Sequence, residues 1–305
     1  MTTQRKSPSP TATSILSGSI SSGPKFADPR EFAFSHDDFE KVRKLIYEKA
    51  GIALNEGKHD MVYSRLARRL RIRGLTRFSD YLALLKNGDH EEWEAFTNAL
   101  TTNLTSFFRE EHHFPILAQH LKKLGKDRQL RVWCCAASTG EEPYSIAMTA
   151  VEAFDSFTPP VSILATDLDT HVLRKGEAGV YAGDRIERMD PRRVKRFFLK
   201  GSGSREGEVR VRPELQRLIS FKRLNLLEPG WAVQGPLDAI MCRNVMIYFD
   251  KETQARILKR FVPLLAPHGL LFVGHSESLF HVSDIFRLKG KTVYDLVKPD
   301  GTTDC

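Results

Sequence analysis

The sequence has no apolar run long enough to cross a bilayer. Its greasiest stretch, "FVPLLAPHGLLFVG" from Phe261, is broken by Pro267, His268 and Gly269, well short of the ~20 apolar residues a spanning helix requires. Direct membrane insertion is therefore not expected. After Arg5 and Lys6 come Ser, Thr, Pro and Gly instead of the apolar core of a signal peptide, so a cytoplasmic location is expected. Cysteine is scarce: Cys134, Cys135, Cys242 and Cys305 show no C-x-x-C spacing and two are adjacent, which suits neither a disulfide framework nor a zinc site. Reduced thiols and no metal are expected. The G-x-G-x-x-G fingerprint of dinucleotide folds, the aromatic RNP pair of an RNA-binding module and internal repeats are all missing.

What is present fits a folded chain of one large or two ordinary domains: 305 residues, 41% hydrophobic and 28% charged, close to the averages of globular proteins. The net charge of +8 points to an acidic partner surface, whether nucleic acid, anionic lipid or a protein rich in Glu and Asp. Residues 1–31 are Ser, Thr, Pro and Gly with scattered apolar residues, a composition that reads as a disordered tail. Residues 32–100 read as an all-helical unit: "HDDFEKVRKLIYEKAGIAL" places Phe39, Val42, Leu45 and Ile46 on one face, with Ser35 or Asp37 as cap and Gly51 as stop. Further helices are predicted near 58–73, 78–86 and 90–100, and residues 101–129 form a linking segment. From about residue 130 to 298, strand-like runs alternate with helical patterns, which argues for βαβ units around a parallel sheet. Within it, residues 195–222 carry glycine-rich turns and period-two alternation at Val209, Val211 and again near Ile219, the pattern of a small antiparallel insertion.

Four stretches carry chemistry. In "CCAASTGEEPYS" an apolar strand runs into Ala136, Ala137, Ser138 and Gly140, small residues that let a ligand approach the backbone at a strand's carboxyl end. Glu141 and Glu142 at the helix start would repel a phosphate, so a cationic ligand bearing an adenosine suits this turn. An ordinary turn whose glutamates complement the helix dipole is the alternative. The next strand, "ILATDLDT", ends in Asp167, whose carboxylate has acceptors for both hydroxyls of a ribose; Asp169 reads as a helix cap with Thr170. A third strand end, "DAIMCRNVMIYFD", delivers Arg243, Asn244 and Tyr248 to the same edge, or else a turn residue, a surface cation and a core aromatic. Ahead of these, "LTTNLTSFFREEHHF" reads as an anchored loop presenting Asn103, Thr105 and Arg109 to a cleft. Its adjacent His112 and His113 lack the helical spacing that lets two side chains share an ion.

Together and in this order, "TTNLTSFFR", "ASTGEEPYSIAM", "ATDLDTHVL" and "CRNVMIYFD" resemble the hallmark segments of the chemotaxis receptor methyltransferases, the CheR family, and "LLAPHGLLFVGHSESL" resembles its penultimate strand region. The likeness covers roughly residues 32–297. It implies a Rossmann-like α/β methyltransferase sheet with a small antiparallel β-subdomain inserted, preceded by a small all-helical domain. It also implies an enzyme that uses S-adenosylmethionine to methylate glutamate side chains on the cytoplasmic helices of chemoreceptors, releasing S-adenosylhomocysteine. By position in the matching motifs, Asn103, Thr105, Arg109, Glu141, Asp167, Asn225, Leu226, Arg243 and Asn244 would contact the cofactor. Arg109 and Tyr248 match the pair acting near methyl transfer; Arg109 is favoured as the holder of the cofactor's methionine carboxylate, with a secondary steering role.

Between Met61 and Ser79 there are six arginines and no acid, around an apolar stripe of Val62, Leu66 and Leu70. The family resemblance makes Arg65, Arg68, Arg69 and Arg73 the expected face for receptor methylation helices. The insertion "GSGSREGEVRVRPEL" resembles the β-subdomain that in some members binds a receptor's C-terminal peptide by adding a strand. A monomer with no nucleic-acid partner is expected. Two other readings stand beside this one: an RNA methyltransferase using the arginines as a phosphate track, and a non-catalytic adaptor that keeps the pocket as a sensor.

Overall fold

In the computed structural model, which describes residues 30–297, Ser35 caps the first helix. Its hydroxyl accepts from the Asp38 amide at 3.1 Å while the Asp38 carboxylate accepts from the Ser35 amide, a reciprocal capping box. This helix, α1 (His36–Ala50), stops at Gly51, whose φ of 68° is a left-handed value that favours glycine. Helices α2 (His59–Arg73), α3 (Phe78–Lys86) and α4 (His90–Leu100) follow, and all four bury one face in a common core that includes Phe39, Ile46, Leu66, Tyr81 and Phe96. Arg30 and Glu31, read from sequence as tail, reach α2 instead: Arg30 pairs with Asp60 at 2.8 Å and Glu31 with Arg71 at 2.6 Å. The rest of the expected tail, and Cys305, lie outside the described residues.

After α5 (His113–Leu124) the chain alternates: β1 (Leu130–Cys134), α6 (Glu141–Phe154), β2 (Val161–Asp167), α7 (Thr170–Ala178), β3 (Val180–Ala182), α8 (Pro191–Phe197), β4 (Phe198–Lys200), β5 (Glu208–Val211), α9 (Pro213–Gln216), β6 (Ile219–Arg223), β7 (Leu237–Cys242), α10 (Lys251–Phe261), β8 (Leu265–Val273), β9 (Phe286–Gly290) and β10 (Val293–Leu296). Seven strands form one sheet in the order β6-β2-β1-β7-β8-β10-β9. Its first five strands are parallel and the β9–β10 hairpin closes the edge antiparallel. Side chains such as Val132, Ile163 and Met241 pack on one face under α5 and α6, and Trp133, Ile240 and Leu271 on the other under α10, so both faces are covered as a parallel sheet requires. The strand order reverses between β1 and β7, and a doubly wound sheet opens a ligand crevice at such a point.

The inserted sheet is real but starts and ends earlier than the sequence suggests. Its order is β3-β5-β4, antiparallel throughout, so it begins at Val180 and ends at Val211. The strand near Ile219 is not part of it: β6 pairs in parallel with β2, Ile163 opposite Ile219. Alternation along "ISFKR" marks a half-buried edge strand and does not say which sheet owns the edge.

Candidate active site

At the carboxyl ends of β1, β2 and β7 lies a cleft, partly open to solvent and roofed by the loop over residues 101–109. It brings together seven of the residues singled out in the sequence: Asn103, Thr105, Arg109, Asp167, Arg243, Asn244 and Tyr248. Ala136 and Ser138 floor it. Gly140, which starts α6, sits at φ 97°, and a Cβ there would lie 2.8 Å from Gly176 Cα and from the Tyr181 hydroxyl, so this turn admits only glycine.

Asp167 ends β2 with both oxygens already used once. Oδ2 accepts from the Ser138 amide at 2.8 Å and Oδ1 from the Asp169 amide at 3.0 Å. A carboxylate has about four lone-pair sites, so each oxygen keeps one for a ligand hydroxyl. Burial pushes the acid up to about 6, against the pull of these amides.

The roofing loop hangs on Asp169. One Asp169 oxygen caps α7 by accepting from the His171 and Val172 amides; the other accepts from the Thr101 hydroxyl and the Asn103 amide group, each at 2.8 Å. Further along, the Phe108 amide donates to the Ser145 hydroxyl at 2.9 Å, and Arg109 Nη1 donates to the Leu104 carbonyl at 2.8 Å. Phe108, Glu110, Ser138 and Asn244 all hold φ between 48° and 57°, a region costly for side-chain-bearing residues. Such strain persists only where the surroundings over-determine it, and here Ser138 and Asn244 line the cleft while Phe108 and Glu110 flank Arg109 on its roof.

The third wall is ionic. Arg243 is buried; its guanidinium donates to Glu142 at 2.8 Å and to the Arg109 carbonyl, and lies 3.4 Å from Glu110. Burial raises the Glu142 acid, with the Arg243 charge opposing. Burial also acts on Glu110, yet hydrogen bonds from His275 and Asn244 and the Arg243 charge outweigh it and hold the acid at about 2. Buried Glu277, given no role by the sequence reading, gathers the amides of Asn244 at 2.8 Å, Ile247 at 3.3 Å and Gly274 at 2.6 Å, and so fixes the segment that carries Tyr248. The Tyr248 hydroxyl makes a 3.4 Å contact with the Thr102 carbonyl, and burial raises its pKa, so it remains a protonated donor at neutral pH.

Three expected cofactor contacts are not on the wall. Glu142 lines the cleft, whereas Glu141 turns to the Arg185 guanidinium and the Thr139 hydroxyl. Successive helical residues point about 100° apart, so only one of the pair faces the ligand side. Asn225 donates to the Lys49 carbonyl at 3.0 Å, and Leu226 is buried in the core beside α10, both just past the end of β6. The arginines of α2 are also largely spoken for: Arg69 forks onto buried Glu92 at 2.9 and 2.7 Å, Arg73 pairs with Asp89, and Arg65 donates to the Ala99 and Thr101 carbonyls. Arg68 stands exposed. Their acids come from α4 and are invisible in the α2 segment.

Glu110, His112 and His113 bring one potential ligand atom each within 4.8 Å of one another, because residues 110–112 form turns ahead of α5 and the helical-spacing argument does not apply to them. The Arg243 guanidinium beside Glu110 opposes a cation there, and together with burial it lowers the His113 imidazolium to about 4.

The chain matches two family models: residues 37–101 the all-alpha domain of CheR methyltransferases, and residues 103–294 their SAM-binding domain. A chemotaxis protein methyltransferase of Klebsiella aerogenes is 54% identical over 261 residues, 85% of this chain and 89% of the relative. Its counterpart in Escherichia coli is 52% identical over 87% of this chain and 93% of the relative. Chemotaxis protein methyltransferase 2 of Pseudomonas aeruginosa is 53% identical over 87% and 95%. The chain therefore belongs to the CheR methyltransferase family, with an S-adenosylmethionine-binding sheet preceded by the family's all-helical domain.

Proposed function

We propose that this protein transfers a methyl group from S-adenosylmethionine to glutamate carboxylates on the cytoplasmic helical region of chemoreceptors, giving glutamate methyl esters and S-adenosylhomocysteine. The observation that carries the reading is Asp167: a strand-end carboxylate fixed by two backbone amides, lining the cleft with one acceptor site left on each oxygen. It fits the vicinal hydroxyls of a ribose. Residues 32–100 serve receptor recognition, residues 101–129 link and supply cleft residues, and residues 130–298 form the catalytic domain.

The cofactor, when bound, supplies an electrophilic methyl group on a sulfonium. Asp167 accepts the two ribose hydroxyls. Arg109 spends one nitrogen on the Leu104 carbonyl and keeps the rest of its fork for the methionine carboxylate. Asn103 and Thr105 shape the roof, and the Arg243–Glu142 pair fixes the wall beneath it. No general base is needed, because a glutamate with a reference pKa of about 4.3 is already ionised at neutral pH. The chain's task is orientation and exclusion of water, with reacting atoms brought to roughly 3–3.5 Å. Tyr248 supplies the orienting hydrogen bond to the acceptor carboxylate. Exposed Arg68 is the α2 cation best placed to meet receptor acids, and a receptor's C-terminal peptide adds a strand to an edge of the β3-β5-β4 sheet, working in the cytoplasm without entering the bilayer.

Incubation with methyl-labelled S-adenosylmethionine and receptor-bearing membranes tests the proposal. Base-labile label on receptor, released as methanol, is expected. Alkali-stable label, label on RNA, or cofactor binding without any transfer would each contradict it.

A further inference from the structure

Arg185 sits in the 3-10 turn Gly183–Ile186 that follows β3, outside the cleft. One of its nitrogens, Nη2, donates both to the Thr105 carbonyl at 2.9 Å and to the carboxylate of Glu141. Glu141 is 1% exposed, and among the described residues Arg185 is the only basic group within ion-pair distance of it. The second Glu141 oxygen accepts from the Thr139 hydroxyl at 2.6 Å. A single guanidinium thus ties the inserted sheet to the roofing loop and to the turn that floors the cleft. Aromatic packing follows the same route: the Phe107 ring meets Tyr181 of β3 edge-on at 5.0 Å and Phe198 of β4 at 5.4 Å, and the Tyr181 hydroxyl donates to the Thr139 carbonyl at 2.8 Å.

We infer that Arg185 is a positioning residue for methyl transfer: it clamps the loop bearing Asn103, Thr105 and Arg109 down against the start of α6. This inference rests on the cofactor site proposed above. Between the Asp169 anchor at Thr101–Asn103 and the Ser145 anchor at Phe108, the Thr105 carbonyl is the loop's point of attachment to a charged donor. Charge-assisted hydrogen bonds are the stronger kind, and this one lies on the residue that carries a predicted cofactor contact. Arg185 itself is 40% exposed but its partner Glu141 is buried, so the arginine both neutralises that carboxylate and holds the loop, two roles that the variants below separate. The same bridge makes the inserted sheet mechanically continuous with the cofactor roof.

Calorimetric titration of S-adenosylhomocysteine into the full chain and its variants tests this. Arg185→Met, similar in length but without donors, is expected to weaken binding about tenfold, the scale of one hydrogen bond to a charged group. The KM for S-adenosylmethionine should rise in proportion while the KM for receptor stays put. Both contacts come from one nitrogen, so the ammonium of Arg185→Lys can bridge the same oxygens and should restore affinity to within about threefold of wild type. If Arg185→Met alone does not fold because Glu141 is left buried and unpaired, the double variant Arg185→Met/Glu141→Gln removes that charge and should fold yet still bind weakly. Wild-type affinity in Arg185→Met or in the double variant would overturn the inference, as would an equal loss in Arg185→Lys. Absence of binding by the wild-type chain would instead overturn the cofactor site and this inference with it.

Discussion

Asp167 shows how one side chain sets a measurable pH dependence. Burial raises its pKa from the ordinary 3.8 to about 6. Between those values the folded chain holds a proton that the unfolded chain has shed. The group therefore favours folding at low pH and loses that contribution as pH rises through about 6. Ligand binding runs the other way: a ribose donating two hydroxyls needs the ionised carboxylate, so cofactor affinity should fall as pH drops below about 6 and level off above it. Titrations across that range check this, and Asp167→Asn should flatten the profile while lowering affinity at neutral pH by at least about tenfold, the value of a hydrogen bond to a charged acceptor. Tyr248 has a different signature. Tyr248→Phe leaves the cleft's shape intact and removes a donor, so kcat should fall with cofactor affinity unchanged, as separate kinetics and calorimetry would show.

At the scale of elements, helix α2 must be divided between structure and recognition. Arg69 is 21% exposed and forks onto Glu92, which is 1% exposed and also accepts from the Tyr81 hydroxyl at 2.7 Å. Arg69→Ala removes the forked donor from that buried carboxylate, leaving it the Arg73 guanidinium at 3.5 Å, and should cost about 2 kcal/mol of stability, the scale of a hydrogen bond to a charged group, visible as a lowered Tm. Arg68→Glu, on the exposed side, should lower receptor methylation with Tm unchanged. The sequence conveyed the helices of this region well, because a 3.6-residue apolar period and caps such as Ser35 and Gly51 are local signals. It could not convey which arginines were paired, since Asp89 and Glu92 sit one helix away. The same limit explains the other differences. Asp169 was legible as the cap of α7 but not as the anchor of a loop some 66 residues away, and Glu277 and Arg185 likewise hold segments distant in the chain; Glu141 and Glu142 differ only by a helical rotation; and β6 alternates as an edge strand would in either sheet.

Over the whole molecule, the helical domain is bolted to the sheet beside the cleft. The Ala53 amide donates to the Tyr248 carbonyl at 3.1 Å, Asn225 reaches Lys49 at 3.0 Å, and Gly51 packs so closely that an added Cβ would lie 2.7 Å from Leu227 and 3.0 Å from Phe249. Gly51→Ala combines that crowding with a left-handed φ, so it should destabilise the fold by about 1 kcal/mol or more and lower kcat together with Tm. Asn225 and Leu226 thus border the domain junction, and Tyr248 is shared between the domains through its backbone.

The most direct test is a crystal structure of the chain grown with S-adenosylhomocysteine. The account predicts the ribose hydroxyls on Asp167, with the ligand roofed by the loop over residues 101–109 and its sulfur turned toward Tyr248. Density elsewhere on the protein, or a ribose that leaves Asp167 without contact, would contradict it.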